Sequence, residues 1–400
     1  MFVASGTAVL AAAALVSAQA GYGSASASPF APFSGDPFQK YELSANGISA
    51  TFIPYGARLT SLVVNDKNGN PQDVAVGYDE GARYLEDTET NHTFFGAVVG
   101  RYANRIKNGT FAIDGVQSDI PKNEHNGTNT LHGGLVGYDQ QNWTVAALSK
   151  SSITFTFYDE AQQGFPGDVL NVGTFTLEDD QTFTSRLVSI PFNDATPIML
   201  SHHIYWSLGA YVNEDALTIL NDTLYLPYAK RYIQTDGILI PNGSIAVTKG
   251  TGLDFTQPDT TIGSNIPNTA GFCGTGCTGI DNAFITDRAP STGVQDKGLE
   301  VLRMWSPHTG IQLSVETDQN GIQIYTCVGQ NGSIKLKKSQ QHIAGQDAAL
   351  EKYGCIVIET QDWIDGINHP EWGREEYQIA SATTPPIVNF AKFKFSVVNP

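Results

Sequence analysis

The residues of this chain best suited to proton-transfer chemistry are one glutamate and two histidines beside strand-like segments. Glu359 stands at the polar end of the apolar run 355–358, His132 precedes two glycines, and His203 lies within the run 197–208. A carboxylate that accepts a proton and an imidazolium that donates one can act together as a general acid–base pair. Each residue also has an ordinary structural explanation: a solvated strand end for Glu359, a turn histidine bonded to backbone for His132 and a satisfied core histidine for His203.

Four further polar residues occupy positions from which they can meet a ligand. Asn104 and Arg105 follow an apolar run with two glycines, where a backbone can approach a ligand closely. Asp281 stands at the entry to a strand, and Gln323 alternates with apolar neighbours in another. Turn capping and surface ion pairs are the ordinary alternatives, so these residues indicate a site only in combination.

The run 197–208 divides into two faces if it forms a strand. His203, Tyr205 and Ser207 share one face, which offers an imidazole and a phenol to solvent or to a ligand. The opposite face, with His202 and Trp206, is mostly apolar and typical of a core. We therefore expect His203 to belong to a site and Tyr205 to lie beside it.

The elements that position these residues are predicted to be β-strands. Short runs of Val, Ile, Phe, Thr and Tyr alternate with Gly, Asn, Asp and Pro, and turn signals recur about every ten residues. The pattern predicts an all-β protein. We find no internal repeat and no linker after residue 36, so residues 37–400 are predicted to form a single domain.

The first 36 residues predict a secreted protein. Residues 2–20 are apolar and small and end in Ala18-Gln19-Ala20, which predicts a signal peptide over residues 1–20. The run is too short for a typical membrane anchor. Residues 21–36 are rich in Ser, Ala, Gly and Pro and predict a flexible lead-in. N-glycans are expected because seven Asn-x-Ser/Thr sequons occur, at Asn91, Asn108, Asn126, Asn142, Asn221, Asn242 and Asn331.

The net charge and the cysteine content limit the kinds of binding partner and the cellular compartment that fit this chain. A net charge of −17 and a pI near 4.7 disfavour nucleic acid or an anionic membrane as a partner. Four cysteines fit an oxidising compartment. Cys273 and Cys277 can close a small glycine-rich loop, which leaves Cys327 and Cys355 as a second pair. A zinc site is disfavoured because the paired Cys-x-x-Cys spacing is missing.

Six motifs in order resemble the aldose 1-epimerase family, also called galactose mutarotases. The resemblance runs from about residue 41 to residue 397 and is carried by Gly-Arg-x-Ala-Asn-Arg-Ile at 100–106, Asn-Thr-Leu-His-Gly-Gly at 129–134, Leu-x-x-His-x-Tyr at 200–205, Gly-x-Asp-x-x-Phe at 279–284, Gly-x-Gln-x-Tyr-Thr at 321–326 and Glu-Thr-Gln at 359–361. The resemblance implies a large antiparallel β-sandwich that binds a free monosaccharide on a broad concave sheet.

The same resemblance implies roles for individual residues. It makes Glu359 the general base, His203 the general acid and His132 the histidine beside the ring oxygen of the sugar. It makes Asn104, Arg105, Asp281 and Gln323 contacts to sugar hydroxyls, and it places Tyr205 in the pocket wall. The chemistry is interconversion of the α and β anomers of free aldoses such as glucose or galactose, which needs no cofactor and no metal.

Departures from the family pattern leave the substrate range open. His202 stands where the family usually has Asn, and Ser207 replaces a common Asn. Residues 383–386 replace the usual turn before the last strand, and the Cys273–Cys277 loop is unusual. The sequence makes no prediction of the oligomeric state.

Three other functions stay open at this point. A glycoside hydrolase would need two carboxylates, for which Asp281 and Glu359 are available, but the histidines then occupy acid roles that hydrolases give to carboxyl groups. A catalytically silent sugar-binding protein is disfavoured by the presence of both the acid and the base. A phosphosugar epimerase is disfavoured because no further basic cluster is evident.

The resemblance also predicts how Cys327 and Cys355 are placed. If Gln323 and Glu359 face one sugar from neighbouring antiparallel strands, four residues onward from Gln323 and four residues back from Glu359 lead to these cysteines. Even steps preserve both the pairing and the face, so the two sulfurs should meet. A disulfide is one outcome, and two buried free thiols are the other.

Overall fold

The computed structural model describes residues 35–288, 298–343 and 347–398. The predicted signal peptide and all but the last two residues of the predicted lead-in lie outside these ranges. Within them, no helix combines the length and apolar character needed to cross a membrane.

Strands dominate the described residues, and every strand pair is antiparallel. The strands are β1 Tyr41–Ala45, β2 Ile48–Ile53, β3 Arg58–Asn65, β4 Pro71–Asp73, β5 Ala97–Val99, β6 Arg105–Ile106, β7 Thr110–Ile113, β8 Val116–Asp119, β9 Thr130–Leu131, β10 Thr144–Leu148, β11 Ser152–Glu160, β12 Asp168–Glu178 and β13 Thr182–Pro191. They continue with β14 Thr196–Pro197, β15 Ser201–His203, β16 Tyr205–Trp206, β17 Thr223–Tyr225, β18 Arg231–Thr235, β19 Pro241–Val247, β20 Asp281–Ile285, β21 Glu300–Trp305, β22 Ile311–Thr317, β23 Gly321–Tyr325, β24 Ile356–Gln361, β25 Ile379–Ala380 and β26 Ile387–Val397. The α-helices are α1 Ala82–Glu89, α2 Ile262–Asn265 and α3 Glu375–Gln378.

Two large sheets form the sandwich that the resemblance implied. One has eight strands in the order β10-β11-β12-β13-β26-β22-β21-β17, and the other has six in the order β16-β24-β23-β20-β18-β19. A four-stranded sheet, β1 to β4 in chain order, packs beside them. The core between the sheets is aromatic: Trp206 of β16 lies 5.4 Å from Phe393 and 5.7 Å from Phe395 of β26, measured between ring centroids. The all-β prediction is confirmed.

Strand β24 carries the side chains that connect this core to a site. Ile356 and Ile358 are fully buried in the core, so Val357 and Glu359 project from the opposite face of the sheet. The register pairs Gln323 of β23 directly with Glu359. Alternation in the sequence was therefore sufficient to place the glutamate away from the hydrophobic core.

Both predicted cysteine pairs are disulfides in the structure. Cys327 and Cys355 follow the β23–β24 ladder outward from the Gln323–Glu359 pair, with their Cα atoms 5.5 Å apart. Cys273 and Cys277 close the glycine-rich loop, with a Cα separation of 5.4 Å. The alternative of buried free thiols at Cys327 and Cys355 is thus wrong for this structure.

Residues 74–77 do not continue strand β4. Strand β4 ends at Asp73, and Ala75 then makes an isolated antiparallel bridge with Trp206. The Asp73 carboxylate explains the break, because it turns back to accept from the backbone N–H groups of Leu62 and Ala75. This carboxylate also pairs with Lys337, which anchors the segment 333–340 to the four-stranded sheet.

Asp222 has a buried carboxyl group that does not line the cavity formed by the predicted site residues. It is 1% exposed, neither side-chain oxygen has a hydrogen-bond partner among the described residues, and burial raises its pKa to about 8. Because the pKa in the fold exceeds the value in the unfolded chain, the cost of this group is absent below about pH 4 and grows as the pH rises towards 8.

We expect Asp222→Asn to stabilise the protein at neutral pH and to have little effect near pH 4. Each pH unit between these limits changes the free energy of unfolding by about 1.4 kcal/mol, so the gain at pH 7 should exceed about 2 kcal/mol. Urea unfolding at pH 4.5 and at pH 7 measures this. Asp180→Asn is the matched control, since Asp180 is exposed and paired with Lys394. Equal gains at both pH values would contradict the prediction.

Candidate active site

A cavity of about 350 Å³ opens on the face of the six-stranded sheet that points away from the core. All eight residues proposed from the sequence line it. Its lining consists of Asn91, His92, Thr93, Phe94, Asn104, Arg105, Leu131, His132, His203, Tyr205, Asp281, Gln323, Tyr325, Gly329, Gln330, Asn331, Ser333, Ile334 and Glu359.

Three neighbouring strands supply the floor of this cavity. Glu359 on β24 pairs with Gln323 on β23, and Gln323 in turn pairs with Ala283 of β20, two residues from Asp281. The Gln323 amide nitrogen donates to Asp281 Oδ1 at 2.6 Å. One oxygen of Gln323 and one of Glu359 have no hydrogen-bond partner among the described residues. Buried polar atoms of this kind are ready to bind a polar ligand.

His203 and Tyr205 reach the cavity from a strand that breaks between them. β15 pairs with β5 up to His203, and β16 pairs with β24 from Tyr205 onward. His203 Nε2 lies 3.5 Å from Glu359 Oε1, and both side chains are almost fully buried. The Tyr205 hydroxyl donates to the backbone oxygen of Thr93 and so fixes one wall. The face assignment made from the sequence places both residues correctly beside the cavity.

His132 is held in a defined tautomer by the backbone of Asn104. The two-residue ladder β6–β9 brings them together, and the Asn104 N–H donates to His132 Nδ1 at 3.1 Å. Since Nδ1 accepts a hydrogen bond, the proton of the neutral ring is on Nε2. His132 therefore presents an N–H donor, and burial, followed by the electrostatic influence of His203 and Arg105, lowers its pKa well below the usual range.

Local backbone geometry explains the residue types at this ladder. Asn104 has φ 62°, a left-handed conformation that asparagine adopts more readily than most residues. Gly133 has φ 90°, and a Cβ atom there would lie 2.0 Å from the backbone oxygen of Gly100. The glycine after His132 is therefore required by the close approach of two backbones.

The two arginines of the 100–106 motif have different destinations. Arg105 lines the cavity, and its guanidinium forms a bidentate pair with Glu124 at 2.8–3.1 Å and lies 4.0 Å from Asp281. Arg101 points into the protein instead, where it pairs with buried Asp159. Nothing in the sequence pattern distinguishes the two arginines or indicates Glu124, which lies in a polar turn.

Burial sets the protonation of the Glu359–His203 pair in the empty cavity. Removal from water raises the pKa of Glu359 to about 8, with Asp281 adding to the rise and Arg105 opposing it. Removal from water also lowers the pKa of His203 to about 3. Between these values the two groups together hold one proton. A coupled pair of this kind titrates as a unit.

Phe94 and Tyr325 are cavity residues that were not among the proposed site residues. The Phe94 ring lies 4.7 Å from that of His132 and 5.7 Å from that of His203. Tyr325 lies two residues after Gln323 on β23 and therefore on the same face, so strand alternation could have identified it. Phe94 lies outside regular structure at φ 59°, where periodicity carries no information.

The spacing of His132, His203 and Glu359 is also compatible with a metal ion, since one ligand atom from each lies within 4.8 Å of the others. The tautomer of His132 opposes this. A metal on Nε2 would require a proton on Nδ1, where the Asn104 N–H already donates. The donor set therefore fits proton transfer better than metal ligation.

Comparisons with known proteins agree with this geometry. A sequence model of the family described as aldose 1-epimerase matches residues 39–379. A probable aldose 1-epimerase of Arthroderma benhamiae is 50% identical over 389 residues, covering 91% of this chain and 87% of that protein. Human galactose mutarotase is 29% identical over 345 residues, covering 85% and 90%.

The chain belongs to the aldose 1-epimerase family. It is accordingly an enzyme of the isomerase class. The crystal structure of a GalM/aldose epimerase homologue from Caenorhabditis elegans superimposes with a TM-score of 0.74 at 25% identity, covering 90% of this chain and all of that one. The sandwich described above is thus the galactose mutarotase fold.

The departures from the family pattern lie away from the cavity. His202 faces the core, where its ring lies 4.8 Å from Phe175 and its Nε2 is 3.0 Å from the Gly96 oxygen. Ser207 is buried and does not line the cavity. Neither His202 nor Ser207 therefore lines the cavity.

Proposed function

We propose that this enzyme interconverts the α and β anomers of free aldohexoses such as glucose and galactose by acid–base ring opening. The observation that carries the proposal is the buried Glu359–His203 pair, with Nε2 and Oε1 3.5 Å apart in a sugar-sized cavity. Membership of the aldose 1-epimerase family supports the same reaction class.

The reaction needs two proton transfers at one hemiacetal carbon. Glu359 as carboxylate removes the proton of the C1 hydroxyl, and His203 as imidazolium protonates the ring oxygen. The C1–O5 bond then breaks to give the open aldehyde, rotation about C1–C2 presents the other carbonyl face, and closure reverses both transfers. His132 donates its Nε2–H to the ring oxygen as the bond lengthens, because its tautomer leaves no lone pair on that atom.

The proton count closes without help from solvent. The reactive state has a carboxylate and an imidazolium, and ring opening converts it to a carboxylic acid and a neutral imidazole. The empty site holds the same single proton on the carboxyl group. A shift of that proton from Glu359 to His203 therefore prepares the pair, and hydroxyl groups of a bound sugar stabilise the charges it creates.

Substrate contacts follow from the neighbouring polar groups. Asn104, Arg105, Asp281 and Gln323 surround the cavity and supply amide, guanidinium and carboxylate groups to ring hydroxyls. The bidentate pair with Glu124 holds the Arg105 side chain in place and offsets its positive charge. A phosphosugar is disfavoured, because the one arginine in the lining is already paired with Glu124.

The other two alternatives are disfavoured as well. Asp281 accepts from Gln323 at 2.6 Å and lies near Arg105, so it is not poised as the second carboxyl group of a glycosidase. An inactive sugar-binding protein would not need an acid–base pair that is costly to bury.

Polarimetry of freshly dissolved α-D-glucose and α-D-galactose tests the proposal. We expect a first-order approach to the equilibrium rotation whose rate constant rises in proportion to the protein concentration. A rate equal to that of buffer alone for both sugars would refute the proposed function.

The dependence of kcat/KM on pH should be bell-shaped, because the pair must hold one proton. The alkaline limb reflects loss of the proton whose pKa burial raises to about 8, and the acidic limb lies near the His203 value of about 3. Both limbs belong to the pair. Stopped-flow polarimetry with subtraction of the buffer-catalysed rate measures the profile. A profile without an alkaline limb would contradict this assignment.

We further propose that the chain is secreted and N-glycosylated. The apolar first 20 residues and the sequons support this, and the two disulfides fit an oxidising compartment. Expression in a secreting eukaryotic host with sequencing of the mature N-terminus tests it. A product that is retained in the cells and begins at residue 1 would overturn it.

A further inference from the structure

His92 lies in the cavity wall and belongs to none of the motifs that carry the family resemblance. Its ring stacks on that of Phe94, with centroids 4.0 Å apart. Phe94 in turn contacts the rings of His132 and His203. These aromatic rings form a continuous wall that leads from the proposed reacting centre to the partly exposed imidazole of His92.

A buried aspartate determines which nitrogen of His92 is available to a ligand. His92 Nε2 lies 2.9 Å from Asp139 Oδ2, and the Asp139 side chain is 1% exposed, compared with 27% for that of His92. The carboxylate accepts, so Nε2–H donates. No described residue hydrogen-bonds to Nδ1 of His92, which leaves this nitrogen free to bind a ligand in the cavity.

This arrangement is not explained by stability. Asp139 Oδ1 is buried without a hydrogen-bond partner among the described residues. His92 and Phe94 have φ values of 51° and 59°, a conformation that is unfavourable for a bulky side chain. Strained backbone and half-satisfied buried groups concentrate at ligand sites, where the surroundings hold them in place.

The surroundings do hold this segment firmly. Asp87 Oδ2 accepts from both the backbone N–H and the hydroxyl of Thr93, at 2.8 and 2.6 Å. The Tyr205 hydroxyl donates to the Thr93 oxygen from the other side. His92 is therefore presented to the cavity on a fixed turn, as a recognition residue should be.

The proposed reaction indicates which part of the sugar His92 faces. The ring oxygen of an aldopyranose is bonded to C1 and C5, and in a hexose C5 carries the hydroxymethyl group. With Glu359 at the C1 hydroxyl and the two imidazoles at the ring oxygen, a wall built onto those imidazoles faces C5. We propose that His92 determines specificity by accepting, at Nδ1, a hydrogen bond from the C6 hydroxyl of an aldohexose. This inference rests on the proposed function.

A matched pair of sugars and a matched pair of variants test it. D-Galactose and D-fucose differ only in the C6 hydroxyl. His92→Gln keeps an amide at the ε position for Asp139 and loses the δ nitrogen, whereas His92→Asn keeps a polar group at the δ position. We expect wild type to prefer galactose about tenfold in kcat/KM, the value of one hydrogen bond. His92→Gln should lose this preference mainly through KM, and His92→Asn should retain more of it.

The outcomes separate this inference from the proposed function. Wild type that accelerates mutarotation of neither sugar refutes the function itself. Wild type that turns over both sugars equally well, or a His92→Gln variant with the wild-type galactose to fucose ratio, overturns the role of His92 alone. A His92→Gln variant that loses kcat/KM equally for both sugars indicates a structural role and also overturns it.

Discussion

Glu359→Gln is expected to slow anomerisation of α-galactose by about 10³-fold, within the roughly 10²–10⁴-fold range of a lost proton transfer. Glutamine has the shape of glutamate and keeps a hydrogen-bonding amide, but it cannot accept the C1 proton. The effect should appear in kcat, because the contacts that bind the sugar come from other residues. Polarimetric progress curves give the rate, and calorimetric titration with galactose gives the affinity.

The matched control for this substitution is Glu300→Gln, the same chemical change at a partly buried glutamate on β21 that pairs with Arg303 and does not line the cavity. We expect this variant to have wild-type rates. His203→Asn should resemble Glu359→Gln, since either change leaves one half of the pair without its partner. Near wild-type turnover by Glu359→Gln would remove the glutamate from the mechanism.

Lys337→Met should destabilise the protein by about 3–5 kcal/mol, the usual effect of removing one member of a buried ion pair. The Lys337 ammonium is 3% exposed and donates to Asp73 Oδ2 at 2.7 Å and to the Thr60 oxygen at 2.8 Å. Without it, the Asp73 charge stays buried and loses its cation. The segment that Lys337 anchors also carries Ser333 into the cavity lining, so KM should rise as well.

Lys335→Met provides the control for this prediction. Lys335 precedes Lys337 by two residues and pairs with Asp347. Both side chains of this pair are about 70% exposed. Exposed ion pairs contribute less than about 1 kcal/mol to the free energy of unfolding. Urea unfolding at pH 7 compares the variants. The double variant Lys337→Met with Asp73→Asn should recover part of the loss. Equal unfolding midpoints for the two lysine variants would show that the buried pair is unimportant.

Strand alternation made part of the site predictable from the sequence. The family resemblance placed Gln323 and Glu359 against one sugar from neighbouring strands, and the structure pairs them directly across the β23–β24 ladder. The same reasoning predicted that the sulfurs of Cys327 and Cys355 meet, and the structure shows that they form a disulfide. His203 was assigned to the correct face even though the strand breaks at Ile204, because the break does not change the alternation.

Other parts of the site depend on features that have no period. The contact between Asn104 and His132 rests on a ladder of two residues and on left-handed backbone at both. His92 and Phe94 lie on a turn that Asp87 holds in place by accepting hydrogen bonds from Thr93. This turn is not part of a strand, so strand alternation does not predict where its side chains point. Carboxylates from other parts of the chain determine where the two arginines point. Asp159 holds Arg101 inside the protein, and Glu124 holds Arg105 at the cavity.

The protonation state of the catalytic pair was likewise beyond the sequence. A strand-end carboxylate and a strand histidine suggest ordinary pKa values, and an ionised pair was the natural expectation. Burial in the folded protein shifts both pKa values towards the neutral forms. The empty pair therefore holds one proton, on Glu359, which the order of residues does not reveal.

The most direct test of the central claim is two-dimensional exchange NMR of galactose at anomeric equilibrium. With wild-type protein, cross-peaks between the α and β anomeric protons should grow in proportion to the protein concentration. They should fall to the buffer level with Glu359→Gln at the same concentration. Cross-peaks absent with wild type, or equally strong with the variant, would contradict anomerisation by the Glu359–His203 pair.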